Sequence, residues 1–327
     1  MARTPEEAAM SFTFFTRSLS GPGSSFPEPS DKPSHPLPPC LEVPFSEDNT
    51  SIKHTVESIH LTGDLTLIKG DKERDFTTLA KESGMSNLIL FFFLFEQCRV
   101  STADVFGLAN SDLVAGKYEG GLKLWEGSLD LVKTLHIHVE DGSLLLCGKR
   151  VLELGCGHGL PGIYACLKGA AAVHFQDFNV EVLRCLTVSN VKANLQKHLP
   201  ETANDVCMPE VRFFAGDWTE VYQLFGCGND SNLVSDPDFG YYDIILMAET
   251  VYSLSSLQSL YELIKKSLRR PNGIVYLAAK KYYFGVGGGT RDFRSIVEND
   301  GILESFLVAE FADGASNMRE LWKFSFK

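Results

Sequence analysis

A chain of 327 residues, 44% of them hydrophobic, is long enough to bury the core of one large domain or of two small ones. Its net charge of −12 argues against direct binding to nucleic acid, where Lys and Arg must neutralise phosphates, and favours a basic protein as the partner. The eight cysteines include no Cys-x-x-Cys pair, so we expect free thiols in a reducing compartment. Neither a run of about 18 apolar residues nor a signal-peptide pattern occurs, so we expect no membrane span.

Residues 1–50 are predicted to form a disordered, proline-rich tail. Eight prolines lie between Pro22 and Pro44 among Ser, Gly and acidic residues. Such a composition cannot bury enough apolar surface to build a core.

Residues 51–112 are predicted to form an N-terminal extension. Apolar and polar residues alternate in 56–61 and again in 65–68, with Gly63-Asp64 between them. This pattern predicts two short strands joined as an edge hairpin.

The segment 70–98 does not match an ordinary element of the extension. A charged stretch leads into eight consecutive apolar residues, 88–95, which would promote aggregation if they were exposed. Since Gly70 could run directly on to Arg99 without disturbing a predicted element, we interpret 70–98 as an insertion or a gene-model artefact.

The remaining residues, 113–327, begin with a glycine-rich stretch. Its glycines predict a loop that lies close to another backbone, and Trp125 offers a large rigid face. A helix should follow, with Ser128 as its N-cap and with apolar side chains such as Leu129 and Val132 on one face.

The next stretch, 151–162, predicts a buried strand, a glycine loop and a helix, the nucleotide-binding opening of a doubly wound sheet. The loop glycines Gly155 and Gly157 would let the backbone approach a ligand closely. A dinucleotide fingerprint needs a third glycine where Leu160 stands, and the carboxylate of Glu153 would repel a pyrophosphate but could meet the positively charged aminoacyl end of S-adenosylmethionine. S-adenosylmethionine is therefore favoured over NAD or a purely structural turn.

Two more strand ends add residues suited to a nucleoside. Strand 172–176 is followed by Asp177, where a doubly wound fold places an acid on the ribose hydroxyls, although a helix N-cap is an alternative role. Strand 211–214 leads to Gly216, Asp217 and Trp218, whose polar and aromatic side chains suit the edge and the face of adenine.

The C-terminal third completes the predicted sheet. Strand 242–247 precedes Ala248, Glu249 and Tyr252, which should lie at the same edge as the preceding strand ends. A helix at 254–270, a strand at 274–279, an irregular glycine-rich run at 282–289 and a closing hairpin should follow. The run predicts a mobile lid or a phosphate cradle, but it is not a P-loop.

With these motifs in place, the chain resembles the class I methyltransferases that use S-adenosylmethionine, and within them the histidine protein methyltransferase family. The motifs are YEGGLKLWE (118–126), ELGCG (153–157), HFQDFN (174–179), DW (217–218), ETVY (249–252) and YFGVGGG (283–289). They cover about two thirds of the chain, from Leu113 onwards. The resemblance implies an α/β, Rossmann-like, doubly wound sheet of seven mostly parallel strands with a C-terminal antiparallel hairpin, and it makes 113–327 the methyltransferase domain.

The resemblance also implies which residues hold S-adenosylmethionine, and the glycine loop adds Glu153 and Gly157 on the reasoning above. The resulting cofactor residues are Leu124, Trp125, Glu126, Gly127, Ser128, Glu153, Gly155, Gly157, Gln176, Asp177, Phe178, Gly216, Asp217, Trp218 and Ala248. No metal ligands are expected. The chain departs from the family pattern in the 70–98 segment and at Lys280-Lys281-Tyr282.

The resemblance implies that the substrate is a histidine of a basic protein of the large ribosomal subunit. The enzyme is then expected to act as a monomer in the cytoplasm and nucleus. The reaction would be an in-line displacement in which a neutral imidazole nitrogen attacks the sulfonium methyl, while Glu249 or Tyr252 bonds the other ring nitrogen and fixes the choice between the two.

Three other functions stay open. A protein-lysine methyltransferase shares the acidic-x-x-Tyr signature, but its amine must lose a proton before it attacks. A scaffold for ribosome assembly would bind S-adenosylmethionine without turnover. An oxidoreductase is disfavoured by Leu160 and Glu153.

Overall fold

The structure of this chain, a computed structural model, describes residues 37–46, 55–61, 93–99, 101–108, 113–198, 208–225, 242–312 and 317–327. All of these belong to one compact unit, Pro33–Lys327. The strands are β1 (Leu41–Val43), β2 (Thr55–Leu61), β3 (Phe93–Arg99), β4 (Arg150–Leu154), β5 (Ala172–Asp177), β6 (Glu210–Ala215), β7 (Ile244–Ala248), β8 (Ile274–Lys280), β9 (Leu303–Ala312) and β10 (Met318–Phe326). The helices are α1 (Thr102–Phe106), α2 (Glu126–Glu140), α3 (Leu160–Leu167), α4 (Val180–Val182), α5 (Val188–His198), α6 (Tyr222–Phe225), α7 (Leu254–Ser267) and α8 (Thr290–Asp300), and a π-helical turn, Leu183–Thr187, joins α4 to α5.

Eight strands form the main sheet, in the order β1-β6-β5-β4-β7-β8-β10-β9. Strands β4 to β8 pair in parallel, whereas β10 pairs antiparallel with both β8 and β9. The predicted doubly wound, mostly parallel sheet with a C-terminal hairpin is confirmed. The strand order reverses at β4, between β5 and β7, and such a switch point opens a crevice at the carboxyl ends of the strands.

The sheet is covered by helices on both faces. In β4, Val151 belongs to the apolar cluster of α2, α3 and α5, whereas its neighbour Leu152 belongs to the cluster of α7 and α8. Because successive side chains of a strand point to opposite faces, a strand covered on both sides needs apolar residues at successive positions, and Val151 and Leu152 supply them in β4. None of the helices within the described ranges has the length and apolar character that a bilayer crossing would require.

The eighth strand, β1, lies inside the segment predicted to be a disordered tail. It pairs antiparallel with β6, Val43 opposite Phe213, and Val43 is buried. The Glu42 carboxylate accepts two hydrogen bonds from the Arg212 guanidinium, at 2.8 and 2.7 Å. The predicted tail boundary at residue 50 is therefore wrong for Leu41–Val43, while 1–36 and 47–50 lie outside the described residues.

The predicted hairpin of the extension is also corrected. Strand β2 pairs antiparallel with β3, Thr55 opposite Arg99 and Leu61 opposite Phe93, and not with 65–68, which lie outside the described residues. A chain joined from Gly70 to Arg99 would lack nearly all of β3. The expectation that 70–98 could be removed without disturbing an element is wrong at its C-terminal end.

Candidate active site

The carboxyl ends of the parallel strands meet at one edge of the sheet, which we call the carboxyl edge. It is formed by the residues that follow Leu154 of β4, Asp177 of β5, Ala215 of β6, Ala248 of β7 and Lys280 of β8. The strand registers place these ends side by side. The predicted cofactor loops therefore adjoin one another at this edge, together with the loop that carries Glu249 and Tyr252.

The glycine loop after β4 is compressed between two other segments. Gly155 has φ +60°, and a Cβ at this position would lie 2.7 Å from Cγ2 of Thr250. Gly157 has φ +47°, and a Cβ there would lie 2.9 Å from the carbonyl oxygen of Gly121. Glycine is required at both positions by the backbone conformation and by the close approach.

Glu153 supports this loop from beneath. Its Oε2 accepts the N–H of Gly162 at 2.8 Å near the N-terminus of α3, and the side chain is only 2% exposed. Burial raises the pKa of this carboxyl well above its usual range. The predicted direct contact of Glu153 with a ligand is therefore corrected, because the strand alternation that placed it near the loop turns its carboxylate under α3.

Gln176 joins the glycine loop to the loop after β6. Its Oε1 accepts the N–H of Gly155 at 3.3 Å and the indole N–H of Trp218 at 3.0 Å, while its Nε2 donates to the carbonyl oxygen of Gly216 at 2.9 Å. The side chain is fully buried. One amide thus fixes the relative position of two of the predicted cofactor loops.

Asp177 holds two backbone amides of the same region. Its Oδ2 accepts the N–H of Gly157 at 3.0 Å, and its Oδ1 accepts the N–H of Asn179 at 3.1 Å. Burial raises the pKa of this carboxyl to about 6, although these hydrogen bonds oppose the shift. Each carboxylate oxygen can accept a further hydrogen bond, so Asp177 remains able to bind ribose hydroxyls.

Asn179 occupies the N-cap position before α4, but its side chain does not cap the helix. Its Oδ1 accepts the N–H of Glu119 at 3.0 Å, and its Nδ2 donates to the carbonyl oxygen of Lys117 at 2.8 Å. Asn179 therefore ties the glycine-rich segment before α2 to the end of β5, a role that the sequence pattern did not predict.

Helix α2 begins at Glu126, with Trp125 in the N-cap position, so the predicted N-cap at Ser128 is wrong. The indole N–H of Trp125 donates to the carbonyl oxygen of Gly120 at 3.0 Å. This hydrogen bond fixes where the chain enters the helix. Ser128 lies in the first turn, where its N–H donates to the carbonyl oxygen of Trp125 at 3.1 Å.

The predicted cofactor residues divide into two groups by exposure. One group is partly or fully exposed and can contact a ligand directly: Leu124, Trp125, Glu126, Gly155, Phe178, Asp217, Trp218 and Ala248. The other group is buried and holds the loops in place, and of its members Asp177 also keeps acceptor capacity for a ligand: Gly127, Ser128, Glu153, Gly157, Gln176, Asp177 and Gly216.

The loop after β6 is also held by residues that the sequence analysis missed. Oδ1 of Asp217 accepts both the N–H and the hydroxyl of Thr219, at 2.9 and 2.6 Å. A Cβ at Gly216 would overlap the Sγ of Cys40, the residue before β1. Strand β1 therefore packs directly against the loop predicted to bind adenine.

Glu249 follows β7 in an unusual conformation. Its φ is +57°, which is rare outside glycine and is typical of functional sites. The side chain is 6% exposed, its Oε2 accepts the hydroxyl of Tyr283, and its Oε1 has no hydrogen-bond partner among the described residues. A Cβ at Gly127 would lie 2.8 Å from that Oε1, so the unpaired oxygen faces the first turn of α2.

The pKa of the Glu249 carboxyl is raised chiefly by burial. The hydroxyl of Tyr283 and the charges of Lys280 and Arg319 oppose this shift, whereas Glu126 adds to it. An acid with a raised pKa, at a site that retains an unpaired oxygen, can both accept a hydrogen bond and take up a proton.

Tyr252 is already engaged, since its hydroxyl donates to the carboxylate of Glu119. The glycine-rich run packs against the same loop: the N–H of Gly289 donates to the carbonyl oxygen of Val251 at 2.8 Å, and a Cβ at Gly288 would lie 2.5 Å from that oxygen. This run was predicted to be a lid or a phosphate cradle. Its described contacts place Tyr283 against Glu249, and the lid or cradle role stays a prediction.

Glu119, Lys280 and Tyr283 are functional candidates to which the sequence analysis assigned no role. Glu119 and Tyr283 lay inside quoted motifs, and Lys280 directly follows a predicted strand. Position at a strand end was the available signal for Lys280, but which side chains pair across the carboxyl edge is visible only in three dimensions.

The arrangement fits S-adenosylmethionine. The backbone of the glycine loop is partly exposed at Gly155, Asp177 offers a carboxylate to the ribose, and the partly exposed Trp218 offers a flat face to adenine. Trp125, Gly155, Asp177 and Trp218 are linked through the contacts of Gln176 and the Gly120-Gly121 turn, and they do not lie on separate surfaces.

Comparison with known proteins agrees with this geometry. A family model described as lysine methyltransferase matches residues 114–285. The chain is similar to a histidine protein methyltransferase 1 homolog of Dictyostelium discoideum, with 42% identity over 65% of this chain and 60% of the relative. It is similar to the homolog of Bos taurus, with 39% identity over 60% of this chain and 53% of the relative.

A further similar protein is EEF1A lysine methyltransferase 3 of Mus musculus, with 27% identity over 48% of this chain and 55% of that protein. This chain spans little more than half the length of the relatives it matches. The family match at 114–285 covers strands β4 to β8 and the loops at their carboxyl ends.

Proposed function

Because this chain belongs to the lysine methyltransferase family, whose cofactor is S-adenosylmethionine, we propose that it methylates an imidazole nitrogen of a protein histidine. The similarity to histidine protein methyltransferase 1 homologs supports the choice of histidine. The observation that carries the proposal is the unpaired Oε1 of the buried Glu249 at the carboxyl edge.

A neutral imidazole has one N–H and one nitrogen lone pair. If the N–H donates to Oε1 of Glu249, the lone pair of the other nitrogen is free to attack, and the choice between the two nitrogens is fixed. Because a histidine with a pKa near ~6.5 is mostly neutral above pH 7, positioning supplies most of the rate.

S-adenosylmethionine, when bound, supplies a methyl group on a positively charged sulfur. The attacking nitrogen would form a bond to the methyl carbon as the carbon–sulfur bond breaks, with S-adenosylhomocysteine as the leaving group. The methylated ring is then cationic, and its remaining N–H proton can pass to Glu249, whose raised pKa suits that transfer. Tyr252 positions Glu119 and the edge of the site through its hydroxyl.

The test is methyl transfer to a histidine-containing peptide, with Glu249→Gln and Tyr252→Phe as variants. Glu249→Gln should lower kcat about 10²-fold or more while S-adenosylhomocysteine binding changes less than about threefold. Glu310→Gln, an exposed carboxylate of β9, is the matched control and should change neither quantity. If Glu249→Gln and Tyr252→Phe both methylate histidine at the wild-type rate, the proposed role of this edge is wrong.

A protein-lysine methyltransferase is the second candidate, favoured by the description of the family and by the mouse relative. A lysine amine with a pKa of about 10.4 must lose a proton before attack, so its rate should climb steeply above pH 8. Histidine methylation should be nearly constant over that range. The pH dependence of the rate, with the modified residue identified by mass spectrometry, separates the two.

The proposal extends to a basic protein of the large ribosomal subunit as the substrate, and to a monomeric enzyme that acts in the cytoplasm and nucleus. The net charge of −12 supports a basic partner. Mass spectrometry of ribosomal proteins from cells with and without the enzyme tests this: a histidine methylated only when the enzyme is present is expected, and an unchanged set of modifications would exclude a ribosomal substrate.

A further inference from the structure

Lys280, the last residue of β8, brings a positive charge to the carboxyl edge. Its Nζ lies 5.8 Å from the ring centroid of Trp125 and 5.9 Å from that of Tyr283. In the part of the chain that the structure describes, this ammonium has no carboxylate within ion-pair distance and no hydrogen-bond acceptor. The cation therefore rests on two aromatic faces, one from the predicted cofactor segment and one from the partner of Glu249.

The charge of Lys280 acts on the buried carboxylate of Glu249, and Tyr283 contacts both side chains. Four groups act on the carboxylate of Glu249: Tyr283, Lys280, Arg319 and Glu126. Of the two cations, Arg319 is already committed to Asp130, with its Nε 2.6 Å from Oδ2. Lys280 is thus the cation left to offset the charge of Glu249.

We infer that Lys280 is a specificity-determining residue that makes this site prefer a neutral imidazole to a protonated lysine. The inference rests on the proposed function, since it concerns the side chain that the same site accepts. A buried carboxylate by itself attracts any ammonium, and lysine side chains are protonated at neutral pH. With Lys280 beside it, Glu249 still accepts an N–H, but an arriving ammonium meets a like charge.

The size of the effect follows from Coulomb's law. Two positive unit charges about 8 Å apart repel each other. In surroundings between water and an effective dielectric constant of about 20, this repulsion weakens the binding of an ammonium group by a factor of roughly ten. The repulsion acts on the binding of the ammonium form, so it should raise KM for a lysine peptide rather than lower kcat. A neutral imidazole should be almost unaffected.

The experiment compares two peptides that are identical except for histidine or lysine at the target position. Their Kd values are measured with the full chain saturated with S-adenosylhomocysteine, for wild type, Lys280→Gln, Lys280→Arg and Lys281→Gln. Lys281 is the matched control, because it is the adjacent lysine and its Nζ pairs with Glu320, at 3.0 Å.

Lys280→Gln should tighten binding of the lysine peptide about tenfold and change binding of the histidine peptide less than about twofold. Lys280→Arg and Lys281→Gln should keep the wild-type ratio of the two Kd values. A ratio that is the same in Lys280→Gln as in wild type, with normal S-adenosylhomocysteine binding, would overturn the inference. If Lys280→Gln does not fold, Lys280→Met keeps the apolar stem on Trp125 and gives the same comparison.

The pH profile provides a readout that a purely structural role would not move. Loss of the Lys280 charge removes one of the two cations that hold down the pKa of Glu249, so the acid limb of kcat should move to higher pH in Lys280→Gln and stay in place in Lys280→Arg. An unmoved acid limb in Lys280→Gln counts against the inference.

The peptide measurement separates this inference from the proposed function. Absence of histidine methylation by the wild-type enzyme would refute the proposed function, whereas the Kd ratio needs no turnover and still decides the role of Lys280.

Discussion

The loops after β4, β5 and β6 lie beside those after β7 and β8, but the two sets differ in whether their buried polar groups are hydrogen-bonded. On the first side, Gln176 and Asp177 are each bonded to neighbouring loops. On the second side, Glu249 keeps one buried oxygen unpaired in a backbone conformation that few residues adopt. The first side is already assembled for its ligand, whereas the second keeps an acceptor for a group that must come from outside.

The largest effect should come from overfilling the assembled side. Gly157→Ala places a Cβ 2.9 Å from the carbonyl oxygen of Gly121, so we expect S-adenosylhomocysteine binding to fall more than about 100-fold. The matched control is Gly142→Ala, which has a similarly positive φ of +78° but open space around the Cβ. If calorimetry finds equal affinities for the two variants, the loop is less tightly packed than the comparison requires.

Removing the bridge between loops should have the next largest effect. Gln176→Leu leaves the indole N–H of Trp218 and the N–H of Gly155 without their acceptor. The free energy of unfolding should fall by about 1–3 kcal/mol, and cofactor affinity by roughly tenfold to 100-fold. Denaturant unfolding and cofactor titration measure the two. Unchanged values in both would show that the loops do not depend on this amide.

On the other side of the site, Tyr283→Phe should weaken catalysis without weakening cofactor binding. The variant removes the hydroxyl that donates to Glu249, so the pKa of this carboxyl should rise further and the acid limb of kcat should move to higher pH. We expect kcat near neutral pH to fall about tenfold. A loss of cofactor affinity as large as the loss of kcat would mean that the two sides are not separable.

The smallest effect at neutral pH should come from the titration of Asp177. Because its pKa is about 6, cofactor affinity should fall as pH drops through 6, by at most about tenfold per pH unit. Stability without cofactor should change in the opposite sense. The folded-state pKa lies above the unfolded value of 3.8, so this group's contribution is fully present below 3.8 and is lost as pH rises through 6.

Isothermal titration with S-adenosylhomocysteine and thermal unfolding, each between pH 5 and 8, measure how cofactor affinity and stability depend on pH, with Asp177→Asn as the comparison. In the variant, neither pH dependence should show an inflection near pH 6. An inflection that persists in Asp177→Asn would assign it to another group.

The parallel strands and the glycine loop could be predicted from sequence because each depends on local pattern. Val151 and Leu152 are buried on opposite faces, as two successive apolar residues indicate, and glycine permits the positive φ found at Gly155 and Gly157. The roles assigned to the loops were partly wrong because they depend on neighbouring elements and not on local pattern. Whether Glu153 faces a ligand or the end of α3 depends on the neighbouring helix, which no local pattern specifies.

Contacts between residues far apart in the chain could not be predicted from the sequence. Strand β1 has only three residues after a proline-rich stretch, and its partner β6 begins more than 150 residues later, so neither length nor alternation identified it. In sequence, 133 residues separate Glu119 from Tyr252, and 155 separate Trp125 from Lys280. These contacts form only once the strand order of the sheet brings their loops together.

The backbone of Glu249 has a consequence for how this chain can change. At a φ of +57°, glycine would relieve the local strain, so Glu249→Gly should resist heat better than the native chain while losing the unpaired carboxylate oxygen. At this position, thermal stability and the presence of the unpaired carboxylate oxygen therefore oppose each other. Under the proposed mechanism, a glycine at this position would give a thermally more stable protein that still binds S-adenosylmethionine but no longer transfers its methyl group.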